Sequence, residues 1–235
     1  MSSIGVSQAA DRLHVSRQRV LQMIAEGRLP AKRVGRSWAV AEVDLARHIS
    51  PSSRPLSFQM SRAFLALAAG ERPQVDPKEL SRLRKHMHRL VREVRDGDPA
   101  HLLRSLLAKR AVRGEMSVAE ADLSDVLADP RLIISGVSHR AAGMSSPRMG
   151  EGYVDERNAQ QFFDDHFIVQ ADDRARANLV VHVAMEIPKI SPIVIASDLA
   201  DYHEGREDRQ ARRVLEQWLA SDEYDPGLLF GRSRP

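Results

Sequence analysis

Side chains that can hydrogen-bond to the edges of DNA bases lie close together in residues 16–22. Arginine can make paired hydrogen bonds to guanine, and glutamine can make them to adenine, in the major groove of double-stranded DNA. If the segment is helical, its outward-facing residues are Arg17, Gln18, Arg19 and Gln22. Ser16 precedes them and can cap the helix, whose first turn then offers free N–H groups to phosphate. The pattern predicts a helix that reads base pairs.

A second group of basic side chains follows in residues 32–40, which alternate like a small β-hairpin with Gly35 near the tip. Such a hairpin would place its basic residues beside the DNA backbone or in the minor groove. The basic residues concerned are Lys32, Arg33 and Arg36. Trp38 is expected to pack inward, and Glu42 is expected to begin a closing helix. This segment is typical of the wing of a winged helix-turn-helix.

Two helices joined by a turn must position the base-reading residues. A first helix is predicted over residues 8–13, and residues 14–15 form the turn to a second helix over residues 17–26. Gly27 then ends the second helix. The buried face of the second helix is predicted to consist of Val20, Leu21 and Ile24.

Residues 4–48 resemble the excisionase and MerR-like family of small winged helix-turn-helix domains. The resemblance is carried by Ser7 to Leu13, Val15-Ser16-Arg17, Glu26-Gly27-Arg28-Leu29-Pro30 and Arg33-Val34-Gly35-Arg36-Ser37-Trp38. It implies that this segment binds double-stranded DNA. The DNA-contacting residues expected from the pattern and the resemblance are Ser16, Arg17, Gln18, Arg19, Gln22, Arg28, Lys32, Arg33, Gly35, Arg36 and Ser37.

Charge and missing residue types limit what the chain can be. Basic residues outnumber acidic ones over residues 1–115 and acidic residues dominate over 116–235, although the net charge is only +3. The basic half is expected to face a polyanion. Without cysteine there is no thiolate nucleophile and no cysteine-bound metal, which fits a reducing cytoplasm. Neither a signal peptide nor an apolar run of membrane-spanning length is visible, so we expect a cytoplasmic protein without membrane contact.

Composition divides the chain into four parts. They are a winged helix-turn-helix DNA-binding domain at 1–48, a linker at 49–55, a helical basic segment at 56–114 and a mixed α/β acidic domain at 115–235. Two prolines and three serines in the linker cannot continue a helix. The predicted fold class is α+β, an N-terminal winged helix-turn-helix followed by a helical segment and a mixed α/β C-terminal domain.

The clearest helix beyond the linker is predicted over residues 77–96, after the capping residue Asp76 and before Gly97. One face is an apolar stripe, and the opposite face is basic. The basic face could extend a DNA contact or be an ordinary solvated surface. Further helices are predicted at 101–109, 118–128, 155–165 and 208–219, and strands at 131–134, 167–170, 178–186 and 192–197.

Several other groups of residues have the types needed for catalysis or metal binding without the required arrangement. His86 and His88 lie two residues apart on a helix, so they point to different faces. Asp164-Asp165-His166 and Ser138-His139 have no visible third partner, and local capping explains them. Gly150-Glu151-Gly152 lacks the third glycine of a dinucleotide-binding loop and the lysine of a P-loop. We therefore predict no catalytic residue, no metal site and no cofactor, hence no enzyme.

Short pieces of residues 54–220 look like bacterial regulators related to AbiEi-type antitoxins of type IV toxin–antitoxin systems. They are Arg54-Pro55-Leu56-Ser57, 63–68, Leu127-Ala128-Asp129-Pro130-Arg131, Ser135-Gly136-Val137, Glu151-Gly152-Tyr153-Val154, Ile195-Ala196-Ser197-Asp198-Leu199 and 206–219. The resemblance implies a repressor that binds its own promoter and counters a separate nucleotidyltransferase-type toxin. A single winged module makes few DNA contacts, so useful affinity is expected only from a homodimer or from several copies on repeated half-sites.

Two alternatives come from other functional classes. The chain could be a recombination directionality factor, an architectural protein that bends DNA for a phage or mobile-element integrase. It could also be a nucleic-acid-modifying enzyme that depends on a carboxylate such as Asp164 or Asp165, although no sequence motif favours this. A neighbouring nucleotidyltransferase gene would favour the antitoxin, and an integrase gene would favour the directionality factor.

Overall fold

The computed structural model describes residues 3–13, 15–35, 37–46, 54–144, 148–222 and 224–230. His14 of the predicted turn, Arg36 of the predicted hairpin and most of the predicted linker lie outside the described residues. The division of the chain at residues 49–55 therefore stays a prediction.

The N-terminal region is a helix-turn-helix with a small antiparallel sheet. Its elements are β1 (Ser3–Gly5), α1 (Val6–Leu13), α2 (Arg17–Ala25), β2 (Lys32–Val34), β3 (Ser37–Ala41) and α3 (Glu42–Ala46). The strand order is β1-β3-β2, so the predicted hairpin of β2 and β3 is extended by a strand that the sequence analysis missed. Residue 41 of β3 pairs with residue 3, which ties the first residues of the chain to the wing.

A small apolar core holds this region together. Ala9 of α1, Val20 of α2, Val40 of β3 and Leu45 of α3 are almost fully buried in it. One prediction for α2 is wrong, because Leu21 is 39% exposed instead of sharing the buried face. Successive residues of an α-helix are rotated by about 100°, so a helix that buries Val20 toward one side directs its neighbour away.

The described residues from 54 onward form a mixed α/β region, which we call the second region. Its helices are α4 (Phe58–Ala68), α5 (Pro77–Asp96), α6 (Pro99–Leu107), α7 (Leu123–Ala128), α8 (Glu156–Asp165), α9 (Pro192–Ala200), α10 (Gly205–Leu219) and α11 (Pro226–Phe230). Its strands are β4 (Val112–Ser117), β5 (Ile133–Ile134), β6 (Gly150–Asp155), β7 (Val169–Gln170) and β8 (Leu179–Ala184). The predicted fold class, an N-terminal winged helix-turn-helix followed by helical and mixed α/β parts, is confirmed.

The five strands form one sheet in the order β5-β6-β8-β4-β7, in which the β6–β8 pair is parallel and the other pairs are antiparallel. Side chains alternate between its two faces. One face packs in a large core with α4, α5, α6, α9 and α10, and the other packs with α7 and α8. The helices of residues 58–107 therefore share a core with the later helices.

The long helix α5 confirms the clearest prediction for this part of the chain. Asp76 caps it, since its Oδ1 accepts hydrogen bonds from the backbone N–H groups of Lys78 and Glu79 at 2.8 Å. Pro77 occupies the first turn and Gly97 the C-cap. The apolar stripe is buried as expected, through Leu83, Met87, Leu90, Val91 and Val94.

None of the described helices is both long and apolar enough to cross a bilayer.

Several other element predictions are wrong or incomplete. The strand predicted at 192–197 is part of helix α9, in which every residue after Pro192 is buried. Burial on all sides removes the helical periodicity, and the β-branched run at 193–195 then imitates a strand. The helix predicted at 118–128 is confined to α7, while strands β4 and β6 were not predicted at all.

Candidate nucleic-acid interface

The second helix of the helix-turn-helix, α2, presents its polar residues to solvent. Arg17, Gln18, Arg19 and Gln22 are all exposed, as predicted for a helix that reads base pairs. Ser16 caps the helix, because its Oγ accepts a hydrogen bond of 3.2 Å from the backbone N–H of Arg19. The cap fixes where the helix begins and so directs the first turn.

The four polar side chains of α2 differ in the contacts they already make. Arg19 Nη1 donates to Gln22 Oε1 at 2.8 Å, and Gln22 Nε2 donates to Glu26 Oε1 at 2.7 Å. Arg17 and Gln18 make no side-chain hydrogen bond or ion pair within the described part of the chain. Exposed pairs of this kind contribute only about 0–1 kcal/mol, so a bound duplex can replace them. Arg17 and Gln18 are available without any such exchange.

The wing is a tight hairpin. Val34 pairs with Ser37 and Arg33 with Trp38, so the chain reverses between residues 34 and 37. Gly35 has a φ of +60°, a conformation that glycine adopts without steric cost, and a Cβ there would meet no atom within 4 Å. Lys32 and Arg33 are exposed, whereas Trp38 packs against the N-terminal core as expected.

Every predicted DNA-contacting residue that the structure describes is exposed. These residues are Ser16, Arg17, Gln18, Arg19, Gln22, Arg28, Lys32, Arg33, Gly35 and Ser37. Arg36 lies outside the described residues. Exposure is necessary for contact with DNA and does not by itself establish it, so the assignment of these residues stays a prediction.

The second region contains a cluster of buried polar side chains that was not predicted from the sequence, which we call the buried polar cluster. It contains Arg110, Ser135, Glu151, Tyr153, His182 and Asp198, all at most 4% exposed. Arg110 follows α6, and Ser135 follows β5. Glu151 and Tyr153 lie in β6, His182 lies in β8, and Asp198 lies in α9. The sheet register brings Tyr153 and His182 side by side, where their rings stack at 4.6 Å between centroids.

Asp198 accepts hydrogen bonds from three other members of the buried polar cluster. Its Oδ1 accepts from Tyr153 Oη at 2.7 Å and from Arg110 Nη2 at 2.6 Å. Its Oδ2 accepts from Ser135 Oγ at 2.5 Å. Burial raises the pKa of Tyr153 well above its ordinary value, which keeps the phenol protonated as a donor. Asp201 also pairs with Arg110. Burial alone would raise the pKa of Asp201, but the surrounding cations, chiefly Arg110, together lower it.

Glu151 is enclosed in the same way on the other side of the buried polar cluster. Its Oε1 lies 2.9 Å from His182 Nε2. Its Oε2 accepts from the backbone N–H of Val137 at 2.8 Å and from Tyr202 Oη at 3.2 Å. Both carboxylates of the buried polar cluster therefore have protein donors on each of their oxygens.

Three members of this cluster have the spacing of metal ligands. One ligand atom each from Glu151, His182 and Asp198 falls within 4.8 Å of the others. A metal ion there would have to displace existing donors and would lie close to the guanidinium of Arg110, which contacts Asp198 Oδ1 at 2.6 Å. The described arrangement is that of a closed hydrogen-bonding and ion-pair network, which stabilises the packing of α9 on the sheet.

The other groups considered from the sequence are engaged by neighbouring side chains. Local capping does not explain Asp165 and His166, which contact Arg131 and Asp129 in a distant part of the sequence. His88 stacks on Phe230 at 3.8 Å, whereas burial and the nearby cations Arg82 and Arg89 lower the pKa of His86. His166 Nε2 lies 2.8 Å from Asp129 Oδ2 at the end of α8.

Ser138 and His139 lie in the turn that precedes β6. Ser138 Oγ accepts from the backbone N–H of Glu151 at 2.8 Å, and His139 Nδ1 accepts from that of Ala141 at 3.1 Å. The contact of His139 is the local cap that the sequence indicated. Ser138 instead bonds to Glu151, 13 residues away, so local capping does not explain Ser138.

Comparison with known proteins bears on the N-terminal region. A family model described as a helix-turn-helix domain matches residues 4–51. A search of curated proteins found no match, and neither did a search of solved structures. The matched residues include α1, α2 and the wing, so the N-terminal region is a helix-turn-helix domain of the kind that binds DNA.

Proposed function

We propose that this protein is a sequence-specific DNA-binding transcriptional regulator. The observation that carries the proposal is the capped helix α2, which exposes Arg17, Gln18, Arg19 and Gln22 within a segment that matches a helix-turn-helix family. A basic wing follows this helix, as expected for a domain that also holds the DNA backbone.

The more specific proposal is that the protein is the autorepressing, antitoxin-like component of a toxin–antitoxin system. It rests on the likeness of residues 54–220 to AbiEi-type regulators and on the acidic balance of residues 116–235. The N-terminal domain would bind the protein's own promoter, and the second region would counter a nucleotidyltransferase-type toxin. Under this proposal the second region acts by binding and not by catalysis, since the carboxylates of its buried polar cluster are already engaged by protein donors.

A recombination directionality factor is the second candidate, favoured by the likeness of residues 4–48 to excisionases. Such a protein would bind cooperatively and bend its sites strongly. Bending of an integration site, without preference for the protein's own promoter, would favour this candidate over the repressor.

The first experiment measures binding of the full chain to a duplex from its own promoter and to a scrambled duplex of equal length, each at two salt concentrations. We expect tighter binding to the promoter duplex and weaker binding to both at the higher salt, because phosphate contacts release counterions. Equal affinity for the two duplexes would contradict the autorepressor. A dimer should bind two half-sites about one helical turn apart, which footprinting on the promoter can measure.

Arg17→Ala and Arg19→Ala test the base-reading assignment of α2. The substitution that removes a bidentate base contact should weaken promoter binding by about 1–3 kcal/mol and reduce the preference over the scrambled duplex. Arg140→Ala is the matched control, because it removes an exposed arginine outside the helix-turn-helix. Promoter preference that survives both α2 substitutions would show that α2 is not the helix that reads the bases.

A further inference from the structure

Five cations form a single line along α5, which we call the α5 stripe. They are Lys78, Arg82, Lys85, Arg89 and Arg92, spaced by four, three, four and three residues. This spacing keeps side chains on one face of an α-helix. The buried residues of α5, including Leu83, Met87 and Leu90, lie on the side that packs into the core. The two faces are thus separated along the full length of the helix.

Four of the five cations of the α5 stripe have no partner among the described residues. Lys78, Arg82, Lys85 and Arg92 are exposed, and in the described ranges their side chains make no hydrogen bond or ion pair. Arg89 is paired, since its Nε lies 3.9 Å from Glu93 Oε1. Like charges three and four residues apart repel each other on an isolated helix. The stripe therefore costs stability unless a polyanion faces it.

The surroundings add to the positive potential of this helix. Arg212 of α10 donates to the backbone oxygen of Val94 at 2.5 Å and also to that of Gly97, which brings a further cation to the C-terminal end of α5. Burial lowers the pKa of His86, and the nearby cations Arg82 and Arg89 lower it further. The acidic residues of α5 are Glu79, Glu93 and Asp96.

The dimensions of the α5 stripe fit the backbone of a nucleic-acid duplex. Lys78 and Arg92 are separated by 14 helical residues, or about 21 Å at 1.5 Å per residue. Double-stranded DNA carries one negative charge for about every 1.7 Å of its axis, so the stripe can face a continuous row of phosphates. The core of a protein–protein interface is depleted of charged residues, whereas the α5 stripe consists of charged residues alone.

We propose that the α5 stripe is a second DNA-contacting surface, which binds the phosphate backbone of the duplex that α2 reads. The inference rests on the proposed DNA-binding function and adds a contribution from outside the helix-turn-helix domain. The stripe supplies affinity that does not depend on base sequence, while α2 supplies the preference among sequences.

The test is the salt dependence of DNA binding by the full chain carrying Arg82→Gln, Lys85→Gln and Arg92→Gln together. The slope of log affinity against log salt has a magnitude of about 0.9 for each phosphate that the protein neutralises, so removing three such cations reduces it by about 2.7. The decrease in affinity should be equal on the promoter and scrambled duplexes, because phosphate contacts carry no sequence information.

A matched control keeps the same change in net charge but distributes it elsewhere. It carries Arg140→Gln, Arg176→Gln and Arg209→Gln, three exposed arginines scattered over the acidic half of the chain. This variant should retain the wild-type slope. Circular dichroism should show that both variants are folded. If the triple stripe variant does not fold, Arg82→Gln alone replaces it and should reduce the slope by about 0.9.

Each outcome is informative. A reduced slope in the stripe variant alone supports the proposal. A wild-type slope in that variant, or an equal reduction in the control, overturns the α5 stripe as a DNA contact and leaves the proposed function intact. If the wild-type chain binds neither duplex at any salt concentration, the proposed function and this inference both fail.

Discussion

Asp198→Ala is expected to lower the free energy of unfolding of the second region by about 3–5 kcal/mol, the usual cost of removing one partner of a buried ion pair. The substitution leaves Arg110, itself 4% exposed, with only Asp201 as a counterion. It also removes the acceptor for the hydroxyl groups of Tyr153 and Ser135. Buried donors without acceptors are unfavourable because they have left water without finding a partner.

The measurement is urea unfolding followed by tryptophan fluorescence in a Trp38→Phe background. Trp38 lies in the N-terminal region and Trp218 in α10, so Trp218 alone then reports on the second region. Asp172→Ala in the same background is the control, since Asp172 is exposed, and such changes usually alter stability by less than about 0.5 kcal/mol. A decrease below about 1 kcal/mol for Asp198→Ala would mean that the buried polar cluster contributes little to stability.

The features predicted correctly from the sequence are those with local signals. Helix α5 is marked at its start by Asp76 and Pro77, repeats apolar residues at helical spacing and ends at Gly97. Helix α2 and the wing are similarly marked by Ser16 and Gly35, so the exposed polar residues between them could be assigned to the correct faces. In each case the decisive residues lie within one or two turns of what they determine.

The features that were missed depend on contacts between distant parts of the chain. Arg110 and Asp198 are 88 residues apart in sequence, and Glu151 meets His182 across 31 residues. No spacing rule connects such residues before the sheet order is known. One weak signal was present, because Asp198 and Glu151 each interrupt an otherwise apolar segment, and a charged residue in such a position usually has a buried partner.

Two glycines explain why β6 escaped prediction. β6 includes Gly150 and Gly152, residues that disfavour a strand by local preference. Their small size is required, since a Cβ on Gly152 would lie 2.7 Å from the backbone oxygen of Ile133. Close packing therefore requires glycine in β6, although glycine disfavours a strand by local preference.

Gly136→Ala is expected to destabilise the second region by more than about 3 kcal/mol, because it displaces a buried charge. An added Cβ would lie 1.7 Å from Oε2 and 2.0 Å from Cδ of Glu151. That carboxylate cannot simply move away, since Val137, Tyr202 and His182 hold its two oxygens. The φ of Gly136, +50°, adds a backbone cost for alanine.

Gly143→Ala separates the two effects. Gly143 has a similar φ of +60°, but among the described residues a Cβ there would meet only Gln210 Nε2, at 3.1 Å. This control therefore bears the backbone cost, about 1–2 kcal/mol, without a clash inside the buried polar cluster. Urea unfolding of both variants in the Trp38→Phe background gives the difference in free energy of unfolding, which isolates the displacement of Glu151. If the two substitutions cost the same, Glu151 can move without penalty, and the buried polar cluster is not the rigid network that its hydrogen bonds indicate.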